Sequence, residues 1–406
     1  MRIAVVAEGS RGDVHPMLEL ARRLRVAGHA VRLLAAPDFA DDAAACGLPF
    51  VAIGKPLRDL LVAHASRLTR GTSRAAAEAI GTLGERIAAQ FACLPEATAD
   101  SELILGASLA FAAPSCAELH GIPYRYVAYC PALFPSAEHP SFLVASQALP
   151  RWVNRLSWRI SVPLLDAWLR RLLNRHRPAL GLAPLANAWQ HITTERPILA
   201  ADRELAPLPG DLPVAVRQLP CLHPADIQPL PPKLEAFLEQ GPTPVYVGFG
   251  SMPDPDPAAT TRLVLEAAAS VGARLVIGTG WAGLGDVPMP EGAIAVGTVS
   301  HPALFARVAA VVHHGGAGTT TTAARAGVPQ ILVPHFGDQH YWARRVEVLG
   351  LGPGPIHRPR LSRDPLAEAL DAVIGNELLA ERAAALGERL RAEAALSDPV
   401  GFVLSD

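Results

Sequence analysis

The chain has 406 residues, half of them hydrophobic and 18% charged, with a net charge of −2. Its length predicts two or more domains, each able to bury its own core. The apolar balance excludes a disordered chain, and the near-neutral charge gives no reason to expect a nucleic-acid partner.

In chain order, residues 3–7 read as a buried strand, too short for the apolar core of a signal peptide. A helix follows over 13–27, with Met17, Leu18, Leu20, Ala21 and Leu24 on its apolar side and Gly28-His29 at its end. Further strands are expected at 30–35, 49–53, 103–106 and 124–128, with helices between them. Continuous apolar strands separated by helices predict a parallel sheet covered on both faces. Residues 151–177 hold seven arginines and one acid, Asp166, among Trp152, Leu156, Trp158, Leu164, Leu165, Trp168, Leu169 and Leu172, a basic amphipathic pattern compatible with an anionic membrane surface.

Residues 207–232 are crowded with proline and read as an interdomain linker. Beyond it the pattern restarts, with strands at 245–249, 274–278, 294–296, 309–313 and 330–333 and helices at 258–270 and 319–326. Residues 376–395 are strongly helical. The expected plan is a first domain over 1–206, the linker, a second domain over 233–385, and a tail over 386–406 that packs back on the first domain. Both domains are α/β and doubly wound, and they face a cleft at the carboxyl ends of their strands. No run of 18 uncharged apolar residues predicts a membrane span. The scattered cysteines Cys46, Cys93, Cys116, Cys130 and Cys221 lack metal-ligand spacing, which suits reduced thiols in a cytoplasmic protein.

The most informative stretch is His313-His314-Gly315-Gly316-Ala317-Gly318-Thr319. A strand ends there, a glycine turn follows, and a threonine-rich helix opens. Unpaired N–H groups and the positive dipole end at such a helix start bind anions, and the two histidines add donors. The chemistry is that of a diphosphate site. Asp254-Pro255-Asp256 has the spacing of a metal-binding DxD, but its prolines predict a turn and a helix N-cap instead.

The motif order resembles inverting, nucleotide-sugar-dependent glycosyltransferases of the GT-B architecture, over nearly the whole chain. The resemblance rests on Gly9-Ser10-Arg11-Gly12-Asp13-Val14-His15-Pro16, on Gly121-Ile122-Pro123-Tyr124-Arg125-Tyr126, on Gly248-Phe249-Gly250-Ser251-Met252, and above all on His313 through Gln339. The first two pieces look most like bacterial enzymes that glycosylate glycopeptide or polyketide antibiotics, with sterol glucosyltransferases close behind.

That resemblance implies roles for individual residues. His314 would contact one phosphate of the donor, and Gly316, Gly318 and Thr319 the other, with Ser251 as a second contact, so that N–H donors take the place of a metal. Asp338-Gln339 would hold sugar hydroxyls. Val299, in Gly297-Thr298-Val299-Ser300-His301-Pro302, would pair with the nucleobase through its backbone, and Trp281 could stack on the base or simply pack. Many relatives carry a histidine base where this chain has Asp13, and the strand over 103–107 lacks the partner acid such a histidine needs. The resemblance therefore implies Asp13 as general base, although aspartate is also an N-cap residue type. Ser10, Arg11 and His15 would line the acceptor pocket, with Trp152 and Trp168 in an apolar wall, since relatives place variable helices over that pocket, and this reading of residues 151–177 is preferred to the membrane surface.

No resident cofactor or metal is expected. The co-substrates would be a UDP- or dTDP-hexose and a lipophilic small-molecule acceptor, on a monomer or weak dimer. Rival activities are a sterol or lipid glucosyltransferase and a nucleotide-sugar epimerase of the same architecture. An NAD-linked oxidoreductase would need a third glycine after Gly9-Ser10-Arg11-Gly12, and a nucleotide-sugar-binding helper would not need Asp13.

Overall fold

A computed structural model describes residues 1–58, 73–223 and 229–405. Among them, the first sheet contains β1 (Arg2–Glu8), β2 (Ala30–Ala35), β3 (Phe50–Ala52), β4 (Leu103–Ser108), β5 (Tyr124–Ala128), β6 (Ile198–Ala200) and β7 (Arg217–Leu219), in spatial order β3-β2-β1-β4-β5-β6-β7. The second contains β8 (Val245–Gly248), β9 (Leu275–Gly278), β10 (Ala293–Val296), β11 (Ala310–His313) and β12 (Gln330–Leu332), in order β10-β9-β8-β11-β12. Neighbouring strands pair in parallel throughout. The chain thus forms two doubly wound α/β domains.

The continuous apolar strands have their cause in burial on both faces. On β1, Ile3, Val5 and Ala7 enter one core while Ala4 and Val6 enter the other. In the second sheet Val245 and Val247 face one core and Tyr246 the opposite one.

Two elements depart from expectation. Strands β6 and β7 were not foreseen, and β7 lies inside the proline-rich stretch assigned to the linker. Arg217 pairs with Ile198 and Leu219 with Ala200, so the first domain extends into that stretch. Residues 224–228 of it lie outside the described residues.

The domains share packing. The core on one face of the first sheet continues through Tyr341, Trp342, Leu386 and Leu390 of the second domain. Helix Pro399–Leu404 returns to the first domain, where Val403 is buried and the Ser405 carbonyl accepts from Arg125 Nη1 (2.5 Å) and Arg217 Nη1 (2.8 Å). Among the described residues, no helix is long and apolar enough to cross a membrane.

In each sheet the strand order reverses beside the first strand: β1 lies between β2 and β4, and β8 between β9 and β11. Loops leaving strands at such switch points splay apart and open a crevice. The loops after β1, β4, β8 and β11 all lie at these points, and they carry most of the expected site residues.

Candidate active site

On the first domain, β1 runs into a tight turn and then helix Arg11–Val26. Ser10, not Asp13, is the N-cap, and Asp13 occupies the third helical position of a capping box. Its Oδ2 accepts from Ser10 N (2.7 Å) and Ser10 Oγ (3.1 Å). Gly9 sits at φ +139°, and a Cβ there would lie 2.3 Å from Asp13 Oδ2, so the carboxylate takes the volume a side chain would fill.

Ser108, at the carboxyl end of β4 with φ +52°, adds a hydroxyl hydrogen bond to the same carboxylate. A non-glycine residue in that region stores strain. Burial raises the pKa of Asp13, and the Ser108 and Ser10 hydrogen bonds pull against it.

Behind this turn lies an acid that sequence reasoning missed. Glu8 is fully buried and paired with the Arg86 guanidinium. Burial nonetheless pushes it up to about 7, against the pull of Arg86 and with a further push from Asp13 and Asp38. A carboxylate closing an otherwise apolar strand was its only trace in the sequence.

The other expected acceptor residues diverge. Arg11 reaches across to the second domain, where Nη1 donates to Thr298 Oγ1 (3.3 Å). His15 pairs with Asp42 Oδ2 (3.2 Å) and meets the Phe39 ring edge-on. The apolar wall is only half present. Trp168 packs against the first-domain core, whereas Trp152 points outward and is exposed, because helix Arg151–Leu173 turns Trp158, not Trp152, inward.

On the second domain, β11 delivers His313 and His314 to the glycine turn. His313 Nδ1 accepts from Gly315 N (3.1 Å), which leaves its Nε2–H for Gln330 Oε1 (2.9 Å). His313 therefore braces the turn. Gly315 has φ +90°, and a Cβ there would press on the Gln339 carbonyl at 3.0 Å.

Helix Ala317–Ala326 begins at Gly316 with no side-chain cap, so its first amides keep their donor capacity. Gly316, Gly318 and Thr319 line this start, while the Thr320 and Thr322 hydroxyls bond back to the Gly316 and Gly318 carbonyls (2.9 and 2.8 Å). The His314 ring lies against Gly250 and Gly316, where Cβ atoms would stand 3.0 Å from Cε1 and 2.5 Å from Nε2. Burial holds its pKa well below the usual range, so the ring is neutral, and its Nδ1 is buried without a partner. Ser251 is buried at the end of β8, directly after Gly250.

Asp338 precedes helix Gln339–Val348 and accepts from Trp342 Nε1 (3.2 Å). Burial pushes it up to about 6, with the charge of Asp13 as the next cause. Burial, and after it the charge of Asp338, raises the Cys130 thiol. Gln339 is engaged elsewhere. Its Oε1 accepts from His335 N (2.7 Å) and Phe336 N (3.2 Å), and its Nε2 faces Met252 Sδ (3.3 Å).

Val299 packs against the second-domain core beside Ser300, the N-cap of helix His301–Phe305. Trp281 packs tilted on Phe39 of the first domain, ring centroids 6.5 Å apart. Asp254 is buried and accepts from Arg358 Nη2 (2.6 Å), Thr260 Oγ1 (3.1 Å) and Asp256 N (2.9 Å), while Asp256 caps helix Pro257–Ser270 through Ala259 N (2.9 Å). The pair is turn and cap chemistry.

Comparison with known proteins places the chain among glycosyltransferases. Residues 3–134 match the glycosyltransferase family 28 N-terminal domain, and residues 262–401 match the erythromycin biosynthesis protein CIII-like C-terminal domain. Glycosyltransferase GtfE of Amycolatopsis orientalis is 39% identical over 100% of this chain and 95% of its own. The vancomycin aglycone glucosyltransferase of the same organism is 38% identical over 97% of this chain and 95% of its own. Among solved structures, the glycotransferase of kitacinnamycin superposes with a TM-score of 0.70 at 21% identity, over 99% of this chain and 97% of that one.

Proposed function

The chain belongs to the antibiotic-type glycosyltransferase family that includes GtfE and the vancomycin aglycone glucosyltransferase, and from that premise we propose an inverting, metal-independent O-glycosyltransferase that moves a hexose from a UDP- or dTDP-sugar to a hydroxyl of a lipophilic secondary metabolite. Asp13 carries this proposal: an acid fixed by Ser10 and Ser108 at the switch point of one domain, close in charge to Asp338 of the other.

Transfer with inversion requires the acceptor oxygen and the leaving diphosphate on opposite sides of the anomeric carbon. Asp13 takes the acceptor proton as the sugar becomes cationic, and burial strengthens it as a base. The amides of Gly318 and Thr319 and the neutral imidazole of His314 receive the charge that grows on the diphosphate, a fixed set of donors worth about 3 kcal/mol each when well aimed. Ser251 adds a donor from β8. Asp338, with one oxygen on Trp342, offers the other to sugar hydroxyls.

The test is product analysis with UDP- and dTDP-glucose, a panel of polyketide and glycopeptide aglycones, and chelator present throughout. A β-glycoside from the α-linked donor, with free nucleoside diphosphate released, is expected. An α-glycoside would refute inversion, loss of turnover with chelator would refute metal independence, and an isomerised nucleotide sugar without transfer would point to epimerisation.

A further inference from the structure

Helix Arg151–Leu173 buries one side, with Asn154, Trp158, Ser161, Leu169, Leu172 and Leu173 turned inward, and Trp158 Nε1 fastened to the His139 carbonyl (3.0 Å). The opposite side is bare. Trp152, Leu156, Ile160 and Leu164 are 67, 45, 55 and 66% exposed. Their spacing of four stacks them in one row along the helix, about 18 Å long. Immediately beside it runs a second row, Arg151, Arg155 and Arg159, all exposed.

Leu143, 61% exposed, lies in a loop tied to the helix by Ser141 N to Ser157 Oγ (3.0 Å). One acid from outside the helix lies at the arginine row: Asp211 pairs with Arg151 Nη2 (3.8 Å). Asp166, the single acid of residues 151–177, is turned to Trp189 N (3.0 Å) and Arg170 (3.6 Å). Contiguous exposed apolar surface marks an interaction site rather than a solvated face.

We propose that this face docks on an anionic lipid surface. The apolar row enters the boundary between headgroups and acyl chains, Trp152 lies at the interface, and Arg155 and Arg159 engage lipid phosphates while Arg151 stays on Asp211. Charge decides the occupant. A second copy packed antiparallel through a two-fold axis across the helix would set arginine row against arginine row, whereas a sheet of anionic headgroups complements Arg155 and Arg159. The loop that carries Leu143 also reaches the second domain. Its Ala145 and Ser146 line a cavity of about 410 Å³ with His335, His340 and Arg360 of the second domain.

The experiment is co-sedimentation of the full chain with vesicles of equal parts phosphatidylglycerol and phosphatidylcholine. The wild type is expected to pellet, to be released by high salt, and to bind at least about tenfold more weakly to pure phosphatidylcholine. Leu156→Asp/Ile160→Asp and Arg155→Glu/Arg159→Glu are each expected to stay in the supernatant with unchanged melting temperature. Wild type that does not pellet, or variants that pellet equally, would overturn the proposal. So would a wild-type dimer in solution that Leu156→Asp splits, which would assign the row to a second copy. Glycosyl transfer is not part of this readout, so the lipid proposal and the catalytic one fail separately.

Discussion

Asp13 and Asp338 come from opposite domains and repel each other across the cleft, and this repulsion, after burial, is what lifts Asp338 from 3.8 to about 6. A carboxyl raised in the folded state stabilises the protein most below its unfolded pKa. That contribution is lost as pH rises through the folded value, here between about 4 and 6. Asp338→Asn cannot ionise and escapes the loss. Its melting temperature relative to wild type should climb from pH 4 to pH 7, by an amount equivalent to on the order of 3 kcal/mol at most. A difference flat in pH would contradict the coupling, and Asp13→Asn should shrink the climb by removing the repelling charge.

Replacing Asp13 separates its two roles. Asn keeps an oxygen for Ser10 N and so preserves the capping box, but it cannot take a proton. Asp13→Asn should lose about 100- to 10,000-fold in kcat with diphosphate affinity unchanged. Ser108→Ala removes a donor that favours the charged carboxylate. The acid limb of its kcat profile should therefore move to higher pH, which a merely structural role for Ser108 would not produce.

Most strands that lie between two neighbours were legible as apolar runs, because burial on both faces leaves no alternation to obscure them; β6, between β5 and β7, was the exception. Strand β7 was hidden by the proline-rich stretch around it, which reads as a linker, whereas β6 is no shorter than β3 and β12, so its length does not explain it. At the sheet edge, β7 also tolerates proline on its flanks. The glycine turn after His314 and the turn holding Asp13 were readable because strand, turn and helix follow one another in sequence. Ser108 and Glu8 were not. Their importance comes from the register that sets them side by side on β4 and β1, a relation between segments a hundred residues apart. The bonds of Gln339 are a similar case: nothing local shows that its amide closes on His335 and Phe336. The basic apolar stretch from Arg151 was visible, but which face of the helix turned outward depended on Trp158 finding the His139 carbonyl.

The adjacent histidines give a sharp contrast. His313→Ala removes the acceptor for Gly315 N and the donor to Gln330, leaving buried polar groups unpaired at about 1–3 kcal/mol each. It should lower the melting temperature without ligand. His314→Ala removes a ring whose Nδ1 has no partner in the protein, so stability should change little while affinity for UDP or dTDP falls at least tenfold. Calorimetry on both variants decides it, and the reverse pattern would exchange the two assignments.

The domains are locked by Arg325, which donates from Nε to Asp202 Oδ2 (2.9 Å) and from Nη2 to Oδ1 (2.5 Å), and also holds the Cys221 carbonyl (3.0 Å). Asp202 is fully buried and accepts in addition from Cys221 N (2.9 Å). Removing one partner of such a pair strands the other charge, which costs about 3–5 kcal/mol, whereas removing both charges together costs far less. Arg325→Met alone should therefore destabilise strongly, and Arg325→Met with Asp202→Asn should recover much of the loss. Because the pair bridges the domains, the single variant should also split one thermal transition into two. The double variant distinguishes this from a packing defect: if it melts no higher than Arg325→Met, the stranded charge is not the cause, and the arginine acts by filling space between the domains.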